Sequence, residues 1–326
     1  MNAGRWTVVA AIAMLTALPA SAQIVDDVRI EEGNAQLDFW LPARRRPDTE
    51  LTNTTSLEIV TEGAPLWGQW LRLPLCAAVA ANQSCATTEY QIGQQMYTPS
   101  GATKVASPEP GHRPYAGWLY ASATLRFATS TSSEALTVES GVTGSPSLAG
   151  QVQTAWHQLI GYPRALGWSH QIPFQPGVLI AGERSLEAAR VSIGGVQVLS
   201  LVPQASVSVG NVLTGAQVGG EARFGYGVAT PWSSSIHGRG RRLQIYGVAA
   251  AREDFIAYDL FLDGSTTGPA LHVEKEPAVF QYEFGVGAQL GRLDVSYRAI
   301  TRKREYTTGP PQHAYSILSL GFRPGW

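Results

Sequence analysis

Charge is what this 326-residue sequence has least of: Asp, Glu, Lys and Arg make up 15% of it, with 24 basic residues against 25 acidic ones. Soluble domains carry roughly 25%, and a formal net charge of −1 leaves no basic footprint, which excludes a nucleic-acid binder. Lysine is scarcest, with Lys104, Lys275 and Lys303 alone. Only two cysteines occur, Cys76 and Cys85. Without a second pair or a nearby histidine they make no zinc site; in an exported chain their spacing suits a small-loop disulfide, with a redox-active pair as the alternative. No Gly-x-Ser-x-Gly is present, which excludes a serine nucleophile on that elbow. Long apolar runs are absent after residue 22, so no helix of the roughly 20 apolar residues needed to span a bilayer is expected. A hydrophobic content of 44% nevertheless excludes a disordered chain.

What is present begins with an export signal. Arg5 gives a positive start, Val8 to Leu18 an apolar core and Ala20-Ser21-Ala22 a small-residue cleavage site, so residues 1–22 read as a signal peptide and 23–326 as one mature domain.

The mature chain alternates with period two, the signature of strands with unlike faces. Phe280, Tyr282, Phe284, Val286, Ala288 and Leu290 interleave with small or polar residues, and the alternation resumes at Leu293 after Gly291-Arg292, predicting a tight hairpin. Similar segments run over Leu119–Phe127, Leu136–Val142, Ala205–Val212, Ala216–Tyr226 and Leu243–Ala249. Counting back by twos from Trp326 puts Pro324, Phe322, Leu320 and Leu318 on one face of a last strand. A soluble sandwich also alternates. The signal peptide, low charge, terminal aromatic and aromatic strand ends favour instead an all-β, antiparallel transmembrane barrel of about 12 strands, at roughly 25 residues per strand and loop. It is expected in the bacterial outer membrane as a monomer.

Chemistry is sought where the alternation breaks. Asp38-Phe39-Trp40 is followed by Arg44-Arg45-Arg46 and Leu51-Thr52-Asn53; Tyr97-Thr98-Pro99-Ser100-Gly101-Ala102-Thr103-Lys104 by Arg113-Pro114-Tyr115-Ala116-Gly117; and Gln153 to His157 by Gly167-Trp168 and Gln171. In the third segment Val152, Trp156, Leu159 and Ile160 recur at helical spacing, predicting a short helix in an extracellular loop, with Gln153 and His157 one turn apart on one edge. An imidazole that accepts a proton beside an amide that orients it or donates to a carbonyl oxygen suits hydrolysis; a solvated loop helix is the plainer reading. His112, His170, His237, His272 and His313 show no metal-ligand spacing. The arginine triplet is either a solvated loop or a match for anionic lipid phosphates.

Taken in order behind a signal peptide, these motifs resemble the outer-membrane lipid A 3′-O-deacylase family over about Asp38 to Gln171; the C-terminal half resembles it only as barrel. The resemblance implies a twelve-stranded barrel that removes the 3′-linked acyloxyacyl chain of lipid A in the outer leaflet. It implies His157 as general base with Gln153 beside it, Thr52 and Lys104 as further catalytic residues, Arg113 and Trp168 as substrate-binding residues, and Asp38 as ligand of a calcium ion that polarises the ester. The expected partners are lipid A in lipopolysaccharide and the lipids of the outer membrane, with no nucleic acid. Where the family carries Asn before the Asp, this chain has Leu37, and His112 stands where an Asp commonly precedes Arg-Pro-Tyr-Ala-Gly. A catalytically degenerate relative, a solute-binding or pore-forming barrel and an outer-membrane phospholipase are the rival expectations.

Overall fold

The computed structural model describes residues 25–38, 49–64, 68, 86–100, 102, 106–107, 110–233, 243–266 and 271–324. The expected signal peptide, Arg44 to Arg46, Cys76, Cys85, Lys104, His237 and Trp326 lie outside the described residues.

Thirteen strands follow in chain order: β1 (Val25–Asn34), β2 (Glu50–Glu62), β3 (Ala86–Thr98), β4 (Ala116–Ala128), β5 (Ser132–Thr143), β6 (Pro176–Leu186), β7 (Ala189–Ile193), β8 (Val196–Gly210), β9 (Leu213–Tyr226), β10 (Leu243–Asp259), β11 (Ala278–Leu290), β12 (Leu293–Lys303) and β13 (Gln312–Phe322). Sequential neighbours pair antiparallel except β6 and β7, which both pair with β8, and β1 pairs with β13. Twelve strands thus close into a barrel with no open edge, the arrangement that satisfies every backbone group without water. The extra strand, β7, prolongs β6 along β8 beyond the last β5 partner, Ser132 opposite Leu186. Its turn uses Gly194 and Gly195, both at positive φ, as a two-residue hairpin requires.

Every alternating segment of the sequence falls on a strand here, although β8 ends at Gly210, two residues short of Val212, and the β11–β12 hairpin turns at Gly291-Arg292. The last strand is shorter than counted from Trp326, ending at Phe322, an aromatic in its own right. On β11, Phe280, Phe284 and Val286 are exposed on the outer wall while Gln281, Glu283 and Gln289 are buried toward the lumen. No described helix is long and apolar enough to cross a membrane; the outward apolar side chains make that surface.

The lumen is packed rather than open. Arg126 pairs with Glu89 at 2.6 Å, Arg298 with Glu221 at 3.3 Å and with Glu283 at 3.1 Å, and Arg302 with Asp254 at 3.0 Å. At the end holding both termini of the sheet, Trp232 folds under, packing on Ala128 and Val202 and donating from Nε1 to the Thr129 carbonyl at 2.9 Å. At the opposite, loop-rich end the helical turn Leu260–Asp263 brings Phe261 onto Tyr97, ring centroids 4.7 Å apart.

Candidate active site

The predicted helix exists as α1 (Ala149–Ile160), between β5 and β6 at the loop-rich end. It starts after Leu148 and stops at Gly161, both left-handed, the stop being the usual glycine cap. Its start lies against the barrel wall at Gly117, where an added Cβ would stand 2.4 Å from that of Ala149 and 2.2 Å from Ser147 Oγ. Only glycine admits so close an approach. The polarity of α1 is inverted for a helix on a soluble protein. Ala149, Gln153 and His157 are buried, whereas Val152, Trp156, Leu159 and Ile160 are exposed, Leu159 at 77%.

Between α1 and the outer wall runs a cleft of about 570 Å³. Inward positions of β1 and β2 are marked by the lumenal Arg29–Glu58 pair, so Glu32, Asn34, Asn53 and Thr55, of opposite parity, face outward, and all four line the cleft. Register then stacks two rows across three strands. Ile30, Leu57 and Ile92 lie side by side, and one step nearer the loop-rich end lie Glu32, Thr55 and Gln94. An apolar row thus gives way to a polar row on the membrane face, beside the cleft.

Four expected residues converge here. His157, Gln153 and Thr52 line the cleft and are at most 5% exposed. Nδ1 of His157 lies 2.7 Å from the Pro163 carbonyl; a carbonyl only accepts, so Nδ1 carries the proton and Nε2 keeps its lone pair. Tyr162 meets the same ring edge-on at 4.9 Å. Trp168, expected to touch substrate, instead donates from its indole N–H to Gln153 Oε1 at 2.7 Å. That contact turns the amide oxygen away and leaves the NH₂ group as the free donor. Trp168 is held in turn by Tyr115, edge to face at 5.4 Å, and an added Cβ on Gly167 would stand 2.1 Å from the Tyr115 ring. Thr52 is the extra residue of a bulge, since Leu51 pairs with Tyr97 and Asn53 with Met96. The bulge re-aims it to share the cleft with Asn53, and its hydroxyl lies 2.5 Å from that of Thr98.

Two expected residues go elsewhere. Arg113 is buried in the lumen, pairing with Glu50 at 3.0 Å and Glu305 at 3.2 Å and lying over the Tyr97 ring at 4.4 Å. Burial opposes its charge, yet Glu50 and Glu305 outweigh it and hold the guanidinium above its ordinary pKa. It locks the loop before β4 rather than lining the cleft. Asp38 does not lie on the first strand; it follows a 3-10 turn (Ala35–Leu37) and is fully buried, accepting a hydrogen bond from Ser316.

The carboxylate that does line the cleft is Glu32, which accepts from Asn53 Nδ2 and Thr55 Oγ1. The sequence reading missed it, though Glu31-Glu32 carried the signal: adjacent acids on a strand must put one on each face. Among the described residues no three His, Cys, Asp or Glu converge as a metal site. The donors here are instead one carboxylate and the amide oxygens of Asn34 and Asn53, hard oxygens of the kind calcium takes. A carboxylate on the lipid-facing wall is costly without a countercharge, so Glu32 fits a cation, while Asp38 lies outside the cleft lining with one oxygen taken by Ser316.

A family model described as outer membrane protein LpxR matches residues 8–323. Among solved structures, LpxR from Salmonella typhimurium superposes with a TM-score of 0.73 at 20% identity, covering 91% of this chain and 99% of that one. The beta domain of the Bordetella autotransporter Brka gives 0.45 at 10% identity, covering 93% and 99%, and the translocator domain of NalP from Neisseria meningitidis 0.39 at 10%, covering 98% and 94%. No curated protein sequence matches.

Proposed function

The chain belongs to the outer membrane protein LpxR family, and from that premise we propose that it is a hydrolase that removes the 3′-linked acyloxyacyl chain of lipid A, working sideways on lipopolysaccharide in the outer leaflet. One observation carries the reading: His157 and Gln153, each oriented by a partner, share a cleft that opens on the outer wall beside the boundary between an apolar and a polar row. An ester joining sugar to acyl chain sits at such a boundary. The longer loops lie at the α1 end, the extracellular end by the rule for bacterial barrels. Export with removal of residues 1–22, leaving 23–326 as the barrel, completes the proposal.

In the proposed reaction water enters between His157 and the ester. Nε2 takes a proton from the water as its oxygen bonds to the ester carbonyl carbon, and the carbonyl oxygen becomes an oxyanion. The Gln153 amide donates to that oxyanion, as does Thr52 when Thr98 donates to it. Collapse breaks the bond to the 3′ oxygen, which takes the proton from the imidazolium, releasing a fatty acid and a 3′ hydroxyl. A calcium ion at Glu32, Asn34 and Asn53 supplies Lewis-acid polarisation of the carbonyl when bound. Lys104 is proposed to meet a lipid phosphate. The test is lipid A mass spectrometry on cells with fully acylated lipid A. Wild type is expected to lose one acyloxyacyl unit and His157→Ala none; loss in both, or release of acyl chains from glycerophospholipids instead, refutes the reading.

A further inference from the structure

Apart from the outer cleft, the lumen holds a chamber of about 430 Å³ at the loop-rich end. Four carboxylates line it, Glu139, Asp254, Asp259 and Glu305, against two guanidiniums, Arg113 and Arg302. Both cations are spent on two of the acids: Arg302 pairs with Asp254 at 3.0 Å and with Glu305 at 3.1 Å, and Arg113 with Glu305 at 3.2 Å. Glu139 accepts only the Trp118 indole N–H, at 2.9 Å, and Asp259 only the Phe261 backbone N–H, at 2.8 Å. Among the described residues neither forms an ion pair, and Arg113 and Arg302 act on Asp259 only from beyond contact distance.

A second observation points to a ligand. His313, 4% exposed, also lines the chamber, and its Nε2 has no partner. Nδ1 faces Glu305 Oε2 at 3.7 Å; a proton there leaves Nε2 as a lone-pair acceptor. Apart from Nε of Arg113, a buried donor that also has no partner, the groups left without an ion pair here are acceptors, in a space where the lining acids outnumber the guanidiniums and a carboxylate without a countercharge is costly. A single metal ion is a poor match, because among the described residues no three such ligands converge. Tyr97, Trp118 and Phe261 wall the space between them, and aromatic faces receive both methylene chains and ammonium groups.

We propose that this lumenal chamber binds a linear organic dication, a diamine or polyamine, whose ammonium groups meet Glu139 and Asp259 while His313 accepts a further N–H. This goes beyond the deacylase reading, since none of these side chains lines the outer cleft. The test is calorimetric titration of the detergent-solubilised protein, stripped of lipopolysaccharide, with 1,4-diaminobutane, spermidine and, separately, Mg²⁺. Saturable amine binding is expected, weakened about tenfold or more when Glu139→Gln and Asp259→Asn are combined, in line with losing desolvated charge pairs. If the double variant fails to fold, the single variants and the rise of the unfolding midpoint with added amine read the same interaction. Absent amine binding, binding unchanged in the variants, or Mg²⁺ binding alone overturns the proposal.

Discussion

At the scale of single residues, the site divides into groups that touch the reacting atoms and groups that aim them. His157→Ala removes the proposed base and is expected to lower turnover by about 10²- to 10⁴-fold. Heat-modifiable mobility should stay intact, because the contacts of His157 to Pro163 and Tyr162 lie within its own loop rather than between strands. Trp168→Phe keeps the packing on Tyr115 but deletes the donor to Gln153. With its amide free to flip, kcat should fall about tenfold while KM holds; an equal fall in binding would instead make Trp168 a substrate contact. Glu32→Gln separates the two carboxylates: it should abolish calcium binding, read by terbium luminescence, whereas Asp38→Asn should leave it unchanged. The sequence made His157 and Gln153 legible because a four-residue spacing on a helix is a local geometric fact. The place of Glu32 in the cleft, and those of Asp38 and Arg113 away from it, were not legible, because which face a strand residue takes depends on where the strand ends and bulges, and that is settled by pairing.

At the scale of elements, α1 and the loop after β12 carry separate consequences. The outward face of α1 is apolar over Val152, Trp156, Leu159 and Ile160, an arrangement that water penalises and a bilayer rewards. Leu159→Ser combined with Trp156→Ala should therefore raise KM for lipid substrate about tenfold, on the scale of lost apolar contact, with little change in kcat for a short-chain soluble ester. The loop from Arg304 to Pro311 contributes Glu305. Burial works to raise its pKa from 4.5, but His313, Arg302 and Arg113 together outweigh it and hold it at about 2. A carboxyl depressed on folding stabilises fully above its ordinary range and loses that contribution as pH falls from about 4.5 toward 2. The unfolding midpoint of wild type should thus drop over that window, and Glu305→Gln should be less stable at neutral pH with a flatter acid profile. β4, β5 and β8 to β13 were legible from clean alternation, whereas β6 and β7 were not singled out. β1 to β3 were not legible either, because Glu32 on β1, Asn53 and Thr55 on β2 and Gln94 on β3 interrupt their outer faces with polar groups beside the cleft.

At the scale of the whole molecule, the question is whether the barrel also conducts. Twelve strands enclose a lumen wide enough in principle for solutes, which is what a pore-forming barrel, one of the rival expectations, requires. The interior is instead crossed by ion pairs, with Trp232 folded under one end and Phe261 stacked on Tyr97 at the other. A solute would have to displace several part-buried charge pairs in series, each of which costs energy to separate. In planar bilayers the protein should show no steady porin-like conductance. Trp232→Ala should not open one either, because the Arg298–Glu221 and Arg302–Asp254 pairs remain in the path. A large, ohmic conductance in the wild type would mean that these pairs rearrange in the membrane, and the outer wall would then no longer be the sole surface at which this barrel meets its substrate.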